Sequence, residues 1–171
     1  RAYEAGYNAP QVDFDGTVHR TVDTNRNGRT AWDGYVDHRW TDKNGGRYNA
    51  PGQRLLYISP SEAESVGEMG AYAKPGHPAM ADKTRVELQY HAAVDPATGR
   101  GGMADVSGNL GDLGLTRGAL TEPKGSKGAH RTLLSKLTGE DPYLYSRAVG
   151  RGAEDAGASA LRVPSATGGN Q

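Results

Sequence analysis

Residues 45–59 read GGRYNAPGQRLLYIS, and this stretch is the most informative part of the chain. The two glycines before Arg47 allow the backbone to turn tightly and to approach a ligand closely. The apolar run that follows predicts a short strand bearing Tyr57. A serine, a proline and an acid come next and predict the start of a helix, on which Glu68 lies. We therefore expect a cation, a ring and a carboxylate around one cleft.

Each of these three side chains has a chemical and a purely structural interpretation. The planar guanidinium of Arg47 suits phosphate or carboxylate oxygens, or it belongs to a surface arginine on a flexible turn. Tyr57 stacks on a flat ring, or it packs in the core with its hydroxyl bonded. Glu68 takes part in a reaction, or it is a solvated acid like Glu62 and Glu64. The spacing of the residues leaves these alternatives open.

The rest of the chain mixes short strands, helices and turns, which is typical of an α+β domain. The predicted strands lie at 17–22, 54–59, 84–90 and 160–164, and the predicted helices begin after Ser59 or lie at 130–137 and 143–156. Arg20 is on the first strand, and Gly157 ends the last helix.

The chain has 171 residues, which is enough for one compact domain with short twisted sheets and flanking helices. Residues 1–16 are rich in turn signals, so we expect an irregular N-terminal segment. We expect residues 17–171 to form the main domain, with a loop-rich insertion in its glycine-rich part at 95–128. The chain does not begin with Met, from which we expect a fragment of a longer protein.

Composition argues against several classes of function. Twenty basic residues balance 20 acidic ones, so we expect no nucleic-acid partner. There is no cysteine, and the five histidines lack the spacing of a zinc site, so we expect no metal. The sequence has no apolar run that could span a bilayer and no export signal at its start, so we expect no membrane association.

At this point the residues resemble a known family, the RES domain, which is named after an Arg, Glu and Ser pattern. The ordered blocks that carry the resemblance are Val18-His19-Arg20, residues 45–52, Leu56-Tyr57-Ile58-Ser59 with Glu68, residues 138–143, and residues 161–166 with Asn170. A single block is weakly specific, whereas the ordered set is more so and covers most of the chain.

The resemblance implies a fold similar to ADP-ribosyltransferases and an enzyme whose substrate is NAD+, with no further cofactor. The substrate-binding residues that it implies are Arg20, Tyr48, Ser165 and Asn170. Arg20 and Arg47 would hold the phosphates of the dinucleotide, and Ser165 would hydrogen-bond in the same cleft. Tyr57 would flank the nicotinamide and its ribose. Glu68 would be the essential acid, so that Glu68, Tyr57 and Arg47 form the implied catalytic set.

The sequence also departs from the family pattern. The gap between Arg20 and Tyr57 is long, which makes Arg1 a competing candidate for the first arginine. Tyr48 stands where many members have tryptophan, a change that a packing ring tolerates. The chain ends after Asn170, where the family usually adds another strand.

The function expected from the resemblance is that of a bacterial toxin domain, an NAD+ glycohydrolase that depletes the NAD+ of a target cell. It would act in the bacterial cytoplasm, delivered there by a secretion system as the end of a larger effector. A cognate immunity protein or antitoxin would neutralise it. Two alternatives remain open: mono-ADP-ribosylation of a target protein, and a non-catalytic binding module on the same fold.

Overall fold

The computed structural model shows an α+β fold of helices and short mixed sheets, as the sequence predicts. The residues that the structure describes are 1–23, 43, 45–53, 55–66, 83–108, 110–111 and 143–164. The predicted helix at 130–137 therefore lies outside the described residues. In the described part of the chain, no helix combines the length and the apolar character needed to cross a bilayer.

Two long strands form an antiparallel ribbon, and both were predicted. Strand β2 spans Phe14–Asp23 and pairs with β3, which spans Lys83–Ala92. In β3 the half-buried and exposed residues alternate from 84 to 90, which is the pattern of a strand with one face covered. Val18 and Val22 of β2 are buried. The ribbon therefore presents one apolar side and carries Arg20 within β2.

A second sheet has three short strands. Its strands are β1 (Gln11–Val12), β4 (Met103–Asp105) and β5 (Ala160–Arg162). Strand β4 lies in the centre, antiparallel to β1 and parallel to β5. Strand β4 is a brief element within the region 95–128, and the expectation that this region is a loop-rich insertion stays a prediction. Strand β4 has only three residues, too few to show an alternation of apolar and polar residues in the sequence. It lies between β1 and β5, and its Ala104 is only 1% exposed.

Two helices pack against each other at very short range. Helix α1 spans Ala2–Tyr7 and helix α2 spans Leu144–Asp155. A Cβ added to Gly6 of α1 would lie 2.0 Å from the carbonyl oxygen of Val149. The Tyr3 hydroxyl donates to Asp155 at 3.0 Å, and this hydrogen bond raises the pKa of Tyr3.

The expectation that residues 1–16 are irregular is therefore wrong. They contain α1, β1 and the start of β2. The physical reason is that alanines and a glycine, which give no periodic apolar signal, face α2 in a close helix contact. These residues join the small-residue core, whose buried members are Ala2, Ala5, Ala9, Ala104, Val106, Val149 and Ala153.

The end of the chain follows the prediction more closely. Helix α2 occupies most of the predicted range 143–156, and Gly157 follows it with a φ of +79°, a conformation that favours glycine. Strand β5 confirms the predicted strand at 160–164 but ends at Arg162.

The predicted strand at 54–59 is not formed. Residues 55–58 belong to no helix or strand, and the backbone pairs with β2 through Ser59, which exchanges hydrogen bonds with His19. The helix that follows is described over residues 62–66. Its cap is Ser61 rather than Ser59, because the Ser61 hydroxyl accepts from the Glu64 N–H at 3.2 Å. The described residues 55–66 form no strand ladder with β2. Single hydrogen bonds, such as those between Ser59 and His19, join this segment to β2 instead.

Candidate functional site

The turn at 45–53 is closed by hydrogen bonds among its own residues. Gly45 has a φ of +67°, and the Gly46 N–H donates to the Asn49 carbonyl at 2.9 Å. Asn49 is fully buried, and its side-chain amide donates to the Gln53 carbonyl at 2.7 Å. The Gln53 side chain in turn accepts from the Ala50 N–H at 3.0 Å. The turn is thus closed by its own side chains and holds Arg47 in a defined place.

Tyr57 is bonded to this turn through its hydroxyl. That oxygen accepts from the Tyr48 N–H and donates to the Asn49 side-chain oxygen, both at 2.9 Å. A Cβ on Gly46 would lie 2.3 Å from the same hydroxyl, so any larger residue there would displace the Tyr57 side chain. Tyr57 as a whole is nevertheless 37% exposed. The structure therefore brings Tyr57 to the turn of Arg47 and Tyr48, with part of the tyrosine open to solvent.

Helix α2 supports the turn from the other side. Gly150 lies so close to it that an added Cβ would be 1.9 Å from the Tyr48 carbonyl oxygen. The Arg147 Nε donates to the Gly46 carbonyl at 3.0 Å, and the Gln53 amide donates to Glu154. Positions 147, 150 and 154 share one helix face, which is the face that the turn covers.

Two guanidinium groups lie over a single ring next to this face. The Arg47 guanidinium carbon is 5.3 Å from the centroid of Tyr143, and that of Arg147 is 5.4 Å from it. Arg47 is only 8% exposed, so its charge lies in a largely water-excluded place. Such an arrangement concentrates positive charge and is suited to an anionic group.

Arg147 and Tyr143 were missed as functional residues by sequence reasoning. In the sequence, Tyr143 stands only at the end of the block 138–143, and Arg147 lies only within a predicted helix. Two signals were available. The three- and four-residue spacing of Arg147, Gly150 and Glu154 places them on one helix face, and two glycines in one helix predict the close approach of another backbone.

Of the two candidates for the first arginine, Arg20 is half-buried in β2. Its neighbours on the strand bond to the chain after Tyr57: His19 pairs with Ser59, and Thr21 shares a hydrogen bond with Ser65 at 2.9 Å. The Arg1 side chain is 96% exposed at the start of α1. That Arg20 and Arg47 meet one ligand stays a prediction.

Three predicted site residues, Glu68, Ser165 and Asn170, lie outside the described residues. Among the acids that the structure does describe, Glu62 is exposed and bonds to Arg85 at 2.9 Å. Glu64 differs from the expectation of a solvated acid, since its Oε2 atom is buried and makes no hydrogen bond. Within the described ranges, no group of three or more acids and histidines has the geometry of a metal site.

Comparison with known families gives one result that covers nearly the whole chain. The family model of the RES domain matches residues 17–171. No curated protein and no solved structure matches the chain. The expected likeness to ADP-ribosyltransferases therefore stays a prediction, whereas the match includes every predicted site residue except Arg1, the competing candidate.

Proposed function

The chain belongs to the RES domain family, and from this we propose that it is a toxin domain that cleaves NAD+ between nicotinamide and ribose. The products are nicotinamide and ADP-ribose, and the reaction uses NAD+ as substrate with no further cofactor. The domain acts in the bacterial cytoplasm after delivery by a secretion system. A cognate immunity protein or antitoxin neutralises it, because uncontrolled loss of NAD+ would harm the producing cell.

One observation carries the proposal on the structural side. The Tyr57 hydroxyl is bonded to the backbone and side chain of the turn that bears Arg47, at 2.9 Å in both contacts. The exposed Tyr57 is thus bonded to the turn that carries Arg47, although the two residues come from different segments. This supports a site that binds a ring through Tyr57 and a phosphate through Arg47.

The reaction breaks the bond between the pyridinium nitrogen and C1′ of the ribose. The bonding electrons stay on the nitrogen, so nicotinamide leaves as a neutral molecule and needs no general acid. Positive charge develops on the ribose, and the Glu68 carboxylate stabilises this oxocarbenium-like state. Water then forms the new bond at C1′ and releases a proton to solvent.

The other residues bind and orient the substrate. Arg20 and Arg47 hold the two phosphates, and Arg20 is preferred over Arg1 because the family match begins at residue 17. The Tyr57 ring flanks the nicotinamide and excludes water from one side of the scissile bond. Tyr48, Ser165 and Asn170 complete the substrate-binding set.

The test measures free nicotinamide and ADP-ribose after incubation of the purified domain with NAD+. We expect Glu68→Gln to lower the rate by about a hundredfold or more, because an amide does not neutralise the developing charge. Glu62→Gln is the matched control, since Glu62 is an exposed acid bonded to Arg85, and this variant should keep the wild-type rate.

Three results would contradict the proposal in different ways. An unchanged rate in Glu68→Gln would remove the acid from the mechanism. ADP-ribose label that stays on a protein would identify a mono-ADP-ribosyltransferase. A wild-type domain that releases no nicotinamide would be a binding module. In cells, the wild-type domain should lower NAD+ and stop growth, whereas Glu68→Gln should do neither.

A further inference from the structure

We propose that Arg147 and Tyr143 are positioning residues that hold the Arg47 guanidinium in the orientation needed to bind a phosphate of the dinucleotide. This inference rests on the proposed function for the identity of the ligand. It concerns residues outside the predicted site set, and its evidence lies in contacts between α2 and the turn at 45–53.

The first contact fixes the backbone on which Arg47 stands. The Arg147 Nε donates to the carbonyl of Gly46 at 3.0 Å. Gly46 immediately precedes Arg47, so this bond sets the orientation of the peptide group from which the Arg47 side chain starts. The hydrogen bond has a charged donor, which makes it stronger than one between neutral groups.

The second contact fixes the side chain itself. The Arg47 guanidinium lies 5.3 Å from the centroid of the Tyr143 ring, within the range of a cation–π interaction. Tyr143 directly precedes α2, and Arg147 lies over the same ring at 5.4 Å. The ring therefore limits the rotamers of Arg47, and Arg147 limits the freedom of the ring.

These two contacts reach a different part of the turn than the other contacts made by α2. Gly150 and Glu154 contact the turn at Tyr48 and Gln53, which follow Arg47 in the chain. Arg147 and Tyr143 instead contact the residue before Arg47 and its charged end. Loss of Arg147 should consequently disturb phosphate binding more than it disturbs folding.

The test is calorimetric binding of ADP-ribose, which does not depend on cleavage of NAD+. We expect Arg147→Gln to weaken binding about tenfold, the size of one lost charge-assisted hydrogen bond. Arg147→Lys, which keeps the charge but not the planar fork, should be intermediate. Tyr143→Phe keeps the ring and should bind within about twofold of wild type, whereas Tyr143→Leu should lose about tenfold.

The matched control is Arg151→Ala, one turn further along α2. The Arg151 side chain is 62% exposed and bonds to Glu154 and Asp155 of its own helix, so the variant should bind like wild type. With NAD+ as substrate, Arg147→Gln should raise KM and leave kcat nearly unchanged, because the phosphates are remote from the broken bond. A purely structural role would lower the folded fraction and hence the apparent kcat.

Failure of this inference is distinguishable from failure of the proposed function. Wild-type affinity for ADP-ribose in Arg147→Gln, or equal losses in Tyr143→Phe and Tyr143→Leu, would overturn the positioning role. Cleavage of NAD+ by a wild-type domain that does not bind ADP-ribose would also overturn it and leave the function intact. Binding of ADP-ribose without nicotinamide release would overturn the function alone. If Arg147→Gln does not fold, Arg147→Lys decides, and wild-type affinity in that variant overturns the role of the guanidinium.

Discussion

At the scale of single residues, Asn49 and Tyr57 join the parts of the candidate site. Asn49 is fully buried, and its side-chain oxygen accepts from the Tyr57 hydroxyl while its amide donates to the Gln53 carbonyl. One side chain thus connects the end of the turn with the segment that follows it. A buried amide of this kind is costly unless it is bonded, so Asn49 fixes one geometry of the turn.

Tyr57→Phe tests this connection. The substitution keeps the ring but removes the oxygen that accepts from the Tyr48 N–H and donates to Asn49. Because a partly buried donor and acceptor lose a partner, the free energy of unfolding should fall by about 1–3 kcal/mol. Urea denaturation followed by tryptophan fluorescence measures this change.

Tyr145→Phe is the control for Tyr57→Phe, since Tyr145 is 61% exposed. Equal unfolding free energies for both variants and the wild type would show that the Tyr57 hydroxyl contributes nothing to the turn. Nicotinamide release by Tyr57→Phe should also fall, because Arg47 and the ring are no longer held in one geometry.

The sequence predicted these residues only in part. For Tyr57 it allowed either a stacking ring or a core tyrosine with a bonded hydroxyl. In the structure the hydroxyl is bonded and the residue is 37% exposed, whereas the stacking of the ring stays a prediction. Asn49 was not singled out, because its importance comes from partners that are four and eight residues away and have no fixed spacing in sequence.

At the scale of elements, α2 is the support of the site and uses two faces. Gly152 and Val149 contact α1, whereas Gly150, Arg147 and Glu154 contact the turn at 45–53. Each glycine costs about 1 kcal/mol of helix stability relative to alanine. The helix keeps both glycines because backbone from a neighbouring segment lies where each Cβ would be.

Gly150→Ala tests whether this close approach positions the site. The added Cβ would lie 1.9 Å from the Tyr48 carbonyl, which is backbone and does not move aside as a flexible side chain would. The turn must shift, so we expect a loss of about 1–3 kcal/mol in the free energy of unfolding despite the better helix propensity of alanine. Urea denaturation gives this value, and binding of ADP-ribose should weaken together with it.

Gly108→Ala is the control for Gly150→Ala, because a Cβ at Gly108 meets no atom within 4 Å. That variant should unfold at the wild-type urea concentration. If Gly150→Ala were more stable than the wild type, the contact between α2 and the turn would be loose.

Helix α2 was predictable, but its orientation was not. Among the apolar residues of the helix, Leu144 is 51% exposed, whereas Val149 and Ala153 are buried. Apolar periodicity locates a helix that packs through large side chains. It does not locate contacts made through glycine, where the absence of a side chain is the signal.

At the scale of the whole molecule, positive charge is local rather than general. Twenty basic and 20 acidic residues cancel, so no long-range field draws polyanions to the surface. Arg47 and Arg147 instead meet over one ring within a part of the fold that excludes much of the water. This favours recognition of a small anionic ligand by contact, which agrees with a dinucleotide substrate better than with nucleic acid.

The N-terminal segment belongs to the same structure as the family-matched part. The match begins at residue 17, yet Ala2, Ala5 and Ala9 lie in the core with Val149 and Ala153 of α2. The turn signals of residues 1–16 predicted an irregular segment. The contact between α1 and α2 was not visible in the sequence, because small residues make it. Helix α1 packs on one face of α2, and the other face of α2 carries Arg147, which bonds to the turn at 45–53. Helix α1 therefore supports the candidate site through α2.

Deletion of residues 1–9 tests this role of α1. The variant loses three buried alanines and uncovers the face of α2 around Val149, so the free energy of unfolding should fall by at least about 2 kcal/mol. Glu4→Ala changes an exposed side chain of the same helix and should keep wild-type stability. Urea denaturation compares the three proteins. An unchanged midpoint in the deletion variant would mean that α1 is an appendage, whereas the expected loss makes it part of the domain that holds the site.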